Sequence, residues 1–198
     1  MKKTIFFTVM ALLCLNFSII QKIYAQQKEA MINAKPLPLR LGDKLPDSFW
    51  EQKHTISQNG QLRTESLAVN KKKLIILDFW ATWCGSCLKK FAMADSLQKE
   101  YGDGIAIILV NAANTRDTED KIKPVLQRYE TALPSIIGDT TLTRMFPHAV
   151  IPHYIWIEQG QYRAATGTEF FTREGLAASV DRRKYLTKLL KELNEKLK

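Results

Sequence analysis

Cys84 and Cys87, three positions apart in Trp83-Cys84-Gly85-Ser86-Cys87, are the side chains of this sequence best placed to do chemistry. A bond between them closes so short a loop that it constrains the unfolded chain little, which makes the pair a poor staple. The same spacing keeps the sulfurs within reach across one turn of helix and suits a bond that is made and broken reversibly. Cys84 is expected at the first turn of a helix that follows a buried strand, where unpaired N–H groups and the positive end of the macrodipole favour thiolate. Lys89 and Lys90 add positive charge one turn later. Cys84 is then the exposed attacking sulfur, and Cys87, partly covered, resolves the mixed disulfide.

Asp78 lies six positions before Cys84, inside the apolar run Leu74-Ile75-Ile76-Leu77-Asp78-Phe79-Trp80. Burial of a carboxylate there raises its pKa. It faces away from Leu77 and Phe79, behind the start of the helix, where a proton acceptor serves a second thiol that must deprotonate. The plainer alternative is that Asp78 bonds a nearby backbone or hydroxyl group. Pro152, in Val150-Ile151-Pro152-His153-Tyr154, precedes a strand; taken alone it is a proline at a strand start, and spacing does not decide between cis and trans. His148 and His153 with the two cysteines make a formal set of four zinc ligands. The gap of about 60 residues between the pairs is far wider than a zinc finger's ~12–15, so no metal is expected, and His54 carries no special signal.

These residues need elements to hold them. Leu74 to Trp80 has the continuous apolar character of a strand buried on both faces. From Cys84 the apolar positions Leu88, Phe91, Ala94, Leu97 and Tyr101 recur at helical spacing up to Gly102. Ile105 to Val110 reads as a second buried strand, Thr118 to Tyr129 as a helix kinked or delayed by Pro124, Leu133 to Ile137 as a short strand and Thr141 to Phe146 as a short helix. Tyr154 to Ile157 and Tyr162 to Thr166 form a hairpin, and Phe171 to Val180 and Lys184 to Leu197 are read as two closing helices. Upstream, Gln26 to Arg40 is a polar arm and Asp43 to Asp47 a loop. A short hairpin follows, running from the apolar patch around Phe49 and Trp50 through a turn at Asn59-Gly60 to Leu62–Val69. Alternating strands and helices followed by a hairpin and helix make an α/β sandwich around a mixed sheet.

The composition is that of an ordinary globular chain: 198 residues, 45% hydrophobic and 25% charged. Met1-Lys2-Lys3, the apolar run Ile5 to Ile20 and small Ala25 have the three-part layout of a secretory signal, and the run is shorter than the ~20 residues of a spanning helix. Residues 1–25 are therefore expected to be a signal peptide cleaved near Ala25, and Cys14 leaves with it. Loss of Lys2, Lys3 and Lys22 lowers the net charge from +9 to +6. The remaining lysines are scattered along the chain, as on a solvated surface, and no nucleic-acid partner is expected.

The block Leu77-Asp78-Phe79-Trp80-Ala81-Thr82-Trp83-Cys84-Gly85-Ser86-Cys87 and the later Ile151-Pro152 resemble thioredoxin-fold proteins. The export signal, Gly42-Asp43-Lys44-Leu45-Pro46-Asp47 and the extra hairpin are similar to the exported TlpA/ResA-type branch of thiol-disulfide oxidoreductases. The resemblance implies an α/β, thioredoxin-like three-layer sandwich with a mixed central sheet and an added N-terminal β-hairpin, spanning residues 41–198 after a 26–40 linker. It implies Cys84 as nucleophile, Cys87 as resolving cysteine and Asp78 as the buried acid, the two cysteines forming a redox-active disulfide. Pro152 would be a cis-proline beside that disulfide, Ile151 would pair its backbone with substrate, and Trp83 and Trp80 would flank the site, Trp83 as docking surface. Ser86 stands where family members usually carry proline, and Asp78 follows thioredoxin more closely than the glutamate of many ResA-type proteins.

Signal, cysteine pair and buried acid together imply an extracytoplasmic, periplasmic enzyme. Asp78 and Ile151 favour a protein-disulfide reductase; Ser86 leans towards a disulfide donor or isomerase. A binding module without turnover would need neither the cysteine pair nor Asp78. No nucleotide-binding glycine pattern is present, and no cofactor is expected. Electrons would pass by dithiol exchange from a membrane thiol-disulfide donor to substrate proteins with disulfides, and the chain is expected to act as a monomer.

Overall fold

The computed structural model describes residues 37–196 together with 17, 19–24 and 26, without the side chains of 183–192, 194 and 196. Residues 1–35 and 36–198 are separate compact units. In the first, residues 19–24 are helical and exposed. Ala25, Cys14, most of the apolar run and most of the 26–40 arm lie outside the described residues. Among those described, no helix is long and apolar enough to cross a membrane.

The second unit is built on β3 (Leu74–Trp80) and β4 (Ile105–Ala112), both buried along their whole length. They pair in parallel, with Asp78 opposite Leu109. On its other side β3 pairs antiparallel with β6 (His153–Glu158), placing Asp78 opposite Tyr154. With β1 (Lys53–Gln58), β2 (Gln61–Ser66), β5 (Ser135–Asp139) and β7 (Gln161–Thr166) the mixed sheet runs β2-β1-β5-β4-β3-β6-β7. The expected hairpin, β1–β2, extends one edge through β5.

Alternation along β3 divides the core in two. Leu74, Ile76 and Trp80 pack with Phe91, Leu97, Ile122 and Leu176 on one face. Ile75, Leu77 and Phe79 pack with Phe49, Leu142, Phe146 and Tyr162 on the other. The first face is covered by α2 (Gly85–Leu88), α3 (Phe91–Tyr101), α4 (Glu119–Arg128) and α6 (Arg173–Lys196), and the second by α1 (Asp47–Glu51) and α5 (Leu142–Met145). This is the sandwich expected from the sequence.

Several elements differ from expectation. The helix after Cys84 is divided at Lys89–Lys90, where the ladder tightens and the Lys90 N–H goes to Cys87 O three residues back, at 2.9 Å. Phe49 and Trp50 sit in α1 rather than in a strand. Helix α4 starts well before Pro124, whose missing N–H falls on an exposed face. Strand β5 begins two residues later than expected, at Ser135. The last two helices are a single one, because the charged stretch Asp181-Arg182-Arg183 interrupts the apolar pattern but holds no glycine or proline to stop the backbone. Of the leucines of the last expected helix, read from their spacing as one apolar face, Leu193 is exposed, and the side chains of Leu186, Leu189, Leu190 and Leu197 lie outside those described.

Candidate active site

The C-terminal end of β3 feeds a short loop, Ala81 to Trp83, that ends in Cys84 as the N-cap of α2. Cys84 and Cys87 are joined in a disulfide, with Cα atoms 5.3 Å apart. The Cys87 N–H points at Cys84 Sγ at 3.3 Å, and Ser86 Oγ lies 3.5 Å from the same sulfur. A charged sulfur is therefore met by local hydrogen-bond donors. Because α2 has only four residues before the tightening at Lys90, the macrodipole contributes less than the unbroken helix expected from sequence. Cys84 is only 6% exposed and Cys87 fully buried. The sulfur expected to be exposed is thus buried in the disulfide-bonded protein.

What stands clear beside it is Trp83, 66% exposed, whose Nε1–H donates to Thr115 O at 3.3 Å. Trp80, expected to flank the site, is buried beneath it with its Nε1–H on Ser135 Oγ at 3.3 Å and its ring edge-on to Phe91. The Ile151-Pro152 bond is cis, as the resemblance implied. A cleft of about 420 Å³ joins three stretches of chain: Trp80 and Trp83, Asn114 and Thr115 after β4, and His148 to Ile151 before β6. Its lining is mostly apolar and carries no carboxylate or lysine.

Asp78 is wholly buried on the cysteine-bearing face. Neither carboxyl oxygen has a hydrogen-bond partner, so the bond to a backbone or hydroxyl group weighed from sequence is not made. Burial holds its pKa well above the ordinary carboxylate range. Its cross-strand neighbour Tyr154 is equally buried, stacks on Phe171 at 4.3 Å, and leaves its hydroxyl without a partner. Burial first, and then the Asp78 charge, push that phenol up. Asp78 and Tyr154 are thus two neighbouring buried polar groups whose hydrogen bonding is unmet, and burial disfavours the charged form of each.

The two histidines of the formal zinc set lie together at the cleft. His148 and His153 stack at 4.8 Å against Phe79, and burial, with His148 beside it, lowers the His153 pKa to about 4. Among the described residues no three His, Cys, Asp or Glu side chains are grouped to hold a metal. His54 is buried 4.0 Å from Asp139, burial lowering its pKa against the pull of that carboxylate.

The sequence reading missed a polar network at the mouth of the site. Asp117 accepts hydrogen bonds from the Thr82 N–H at 2.7 Å, Thr82 Oγ1 at 2.5 Å and Asn111 Nδ2 at 2.8 Å. Asn111 also donates to Trp80 O, and Thr115 Oγ1 donates to Asn111 Oδ1 and Ala112 O. Burial pushes the Asp117 carboxyl up, but the Thr82 and Asn111 hydrogen bonds and the Lys121 charge outweigh it and leave its pKa below the ordinary value. The available signal was Asn111-Ala112-Ala113-Asn114-Thr115-Arg116-Asp117, a polar run where a buried strand ends at the same sheet end as Cys84.

Comparison with known proteins agrees with this geometry. The thioredoxin family model matches residues 61–126, from β2 through the cysteines to α4. The chain is 35% identical over 72 residues to the thioredoxin-like protein YneN of Bacillus subtilis, covering 36% of this chain and 42% of that one. It is 30% identical over 96 residues to the thiol-disulfide oxidoreductase ResA of Oceanobacillus iheyensis, covering 48% and 47%. Each match spans less than half of the relative's length. Among solved structures, the thioredoxin domain of a Bacteroides vulgatus thiol-disulfide oxidoreductase superposes with a TM-score of 0.56 at 18% identity, covering 73% of this chain and 97% of that one.

Proposed function

We propose that this chain, whose fold is that of the thioredoxin domain it superposes on, is an exported protein-disulfide reductase of the TlpA/ResA type, a reading supported by its partial likeness to ResA. The observation that carries the reading is the Cys84–Cys87 bond at a helix start with the unpartnered Asp78 carboxyl buried behind it. In the reduced protein, the Cys84 thiolate attacks one sulfur of a substrate disulfide. That S–S bond breaks, a Cys84–substrate mixed disulfide forms, and the other substrate sulfur leaves as thiolate and takes a proton from solvent. Asp78 first gives up its own proton to solvent and then, as carboxylate, accepts the Cys87 proton. The Cys87 thiolate then attacks Cys84 Sγ, closing the protein's disulfide and expelling the second substrate thiolate. The substrate gains two electrons and the cysteine pair loses two.

Trp83 and the cleft up to Ile151 and Pro152 would receive the substrate segment, with the Ile151 backbone pairing to it as an added strand. The reductase direction is favoured by the shortness of α2, which limits thiolate stabilisation at Cys84, and by the buried Asp78, which disfavours charge at Cys87. A membrane dithiol donor outside the cytoplasm would return the electrons. Export follows from the signal-like residues 1–25, with 26–40 as linker and 41–198 as the catalytic domain acting as a monomer.

The test is the reduction potential of the pair, equilibrated against glutathione or dithiothreitol buffers and followed by tryptophan fluorescence. A value at or below about −270 mV is expected for a reductase. One near about −120 mV would make the protein a disulfide donor and overturn the direction. Absence of any reversible two-electron transition would remove the enzyme reading altogether.

A further inference from the structure

We propose that Asp117 is a positioning residue that sets one wall of the substrate cleft by tying the redox loop to the loop after β4. The proposal rests on the disulfide-exchange reading above and extends it to a residue outside the cysteine motif.

The tie has two strands. Asp117 takes both the backbone N–H and the hydroxyl of Thr82, two residues before Cys84. It also takes Asn111 Nδ2, whose amide group holds Trp80 O. On the return side, the Asp117 N–H donates to Thr115 Oγ1, and Thr115 O receives the indole N–H of Trp83. Two residues that line the cleft, Trp83 and Thr115, are thus fixed to each other through a bond that Asp117 braces from both chain segments. A free loop of Ala81 to Trp83 would let the exposed indole swing, because its ring edge is tied to Thr115 O by a 3.3 Å bond that depends on where the loop sits. Hydrogen bonds to a charged acceptor are the strong kind, and the lowered pKa of Asp117 keeps that acceptor charged through mildly acidic conditions.

The chemistry separates docking from sulfur reactivity. A protein substrate must seat a chain segment between Trp83 and His148–Ile151, whereas a small aromatic disulfide has no segment to seat. Loss of the brace should therefore fall on protein substrates first. The experiment compares wild type, Asp117→Ala and Thr82→Val, with insulin as the protein disulfide, turned over with dithiothreitol as the recycling reductant, and 5,5′-dithiobis(2-nitrobenzoate) as the small one, in a single turnover of the pre-reduced protein freed of dithiothreitol. In D117A the KM for insulin should rise about tenfold, the scale of losing a charged hydrogen-bond acceptor, while kcat and the small-disulfide rate fall no more than about twofold. T82V, which loses one donor to Asp117 and keeps the backbone bond, should show an intermediate KM. D117N should recover part of the loss, because Asn still offers one acceptor oxygen.

An active wild type whose D117A and T82V variants keep the wild-type KM for insulin would overturn this inference alone. Equal losses with both substrates in both variants would also overturn it, assigning Asp117 to general stability. A wild type inert towards both disulfides would sink the redox reading and this inference with it.

Discussion

At the scale of single residues, Asp78 is where structure and chemistry are most tightly coupled. The folded protein holds a carboxyl with no hydrogen-bond partner at zero exposure, so burial raises its pKa far above that of the unfolded chain. Below about pH 4 both states bind the proton and Asp78 is neutral to stability. Above it, the unfolded chain releases a proton that the folded chain keeps, and folding stability declines as pH rises towards the folded pKa. Asp78→Asn removes this drain. The oxidised variant should therefore gain on wild type as pH rises above about 4 towards the folded pKa, by up to about 1.4 kcal/mol per pH unit, read from urea denaturation at each pH. The same substitution should slow resolution of a trapped mixed disulfide about a hundredfold or more at pH 7, measured by stopped flow. A stability gap that does not widen with pH would contradict the buried-acid account. Asp78 was legible from sequence because a lone carboxylate in an apolar strand has few innocent explanations. Asp117 was not, since its meaning depends on Thr82, which lies 35 positions away.

At the scale of elements, the turns show how local backbone demands were met. Both hairpins turn through two residues of positive φ: Asn59 and Gly60 at 52° and 76°, Gln159 and Gly160 at 51° and 71°. Such turns match the twist of the flanking strands and favour Asn or Gly at the first position. Gln159 carries the steric cost of a left-handed backbone without asparagine's tolerance for it. Gln159→Asn should stabilise the fold by about 0.5–1 kcal/mol, visible as a higher urea midpoint at unchanged slope; no gain would mean the β6–β7 turn is held by its strands alone. Strand β3 was readable because its apolar run is uninterrupted except at Asp78. The division at Lys89–Lys90 was not, because Leu88, Phe91, Ala94 and Leu97 stay in helical phase across it. The opposite error arose near the C-terminus: a lapse in the apolar pattern at Asp181 looked like a boundary, yet the backbone of α6 runs through it. Periodicity reports which face is buried; it is blind to a ladder that tightens by one residue or to a helix that continues on polar residues.

At the scale of the whole molecule, the stretch before α1 acts as a strap across the far edge of the core. The Leu39 N–H bonds to Met145 O, Gly42 and Leu45 donate to Tyr162 O and Gly160 O, and Asp43 O accepts from Tyr162, all within 3.0 Å. Leu45 is buried in the second core cluster and Leu39 packs against it. A chain starting at Leu37 should unfold with the cooperativity and midpoint of one that also carries residues 26–36. A chain starting at Pro46 should lose about 2–3 kcal/mol, the scale of one buried leucine with its backbone bonds, measured by chemical denaturation. Equal stability of the two shorter chains would show the strap to be passive. The sequence marked this stretch only as a loop and a linker, because its bonds go to β7 and α5, more than 100 positions away.

The sheet order has one further consequence, which concerns timing. Strand β3 lies between β4, which follows it closely in the chain, and β6, which comes only after α4, β5 and α5. While the polypeptide is being made, Cys84 and Cys87 emerge long before Tyr154 pairs opposite Asp78 and before His148 to Ile151 complete the cleft. Until then the two cysteines react as an ordinary dithiol. On the function proposed above, the order of strands sets when the site is complete: only the docking of the last strands adds the buried neighbour of Asp78 and the third wall of the cleft.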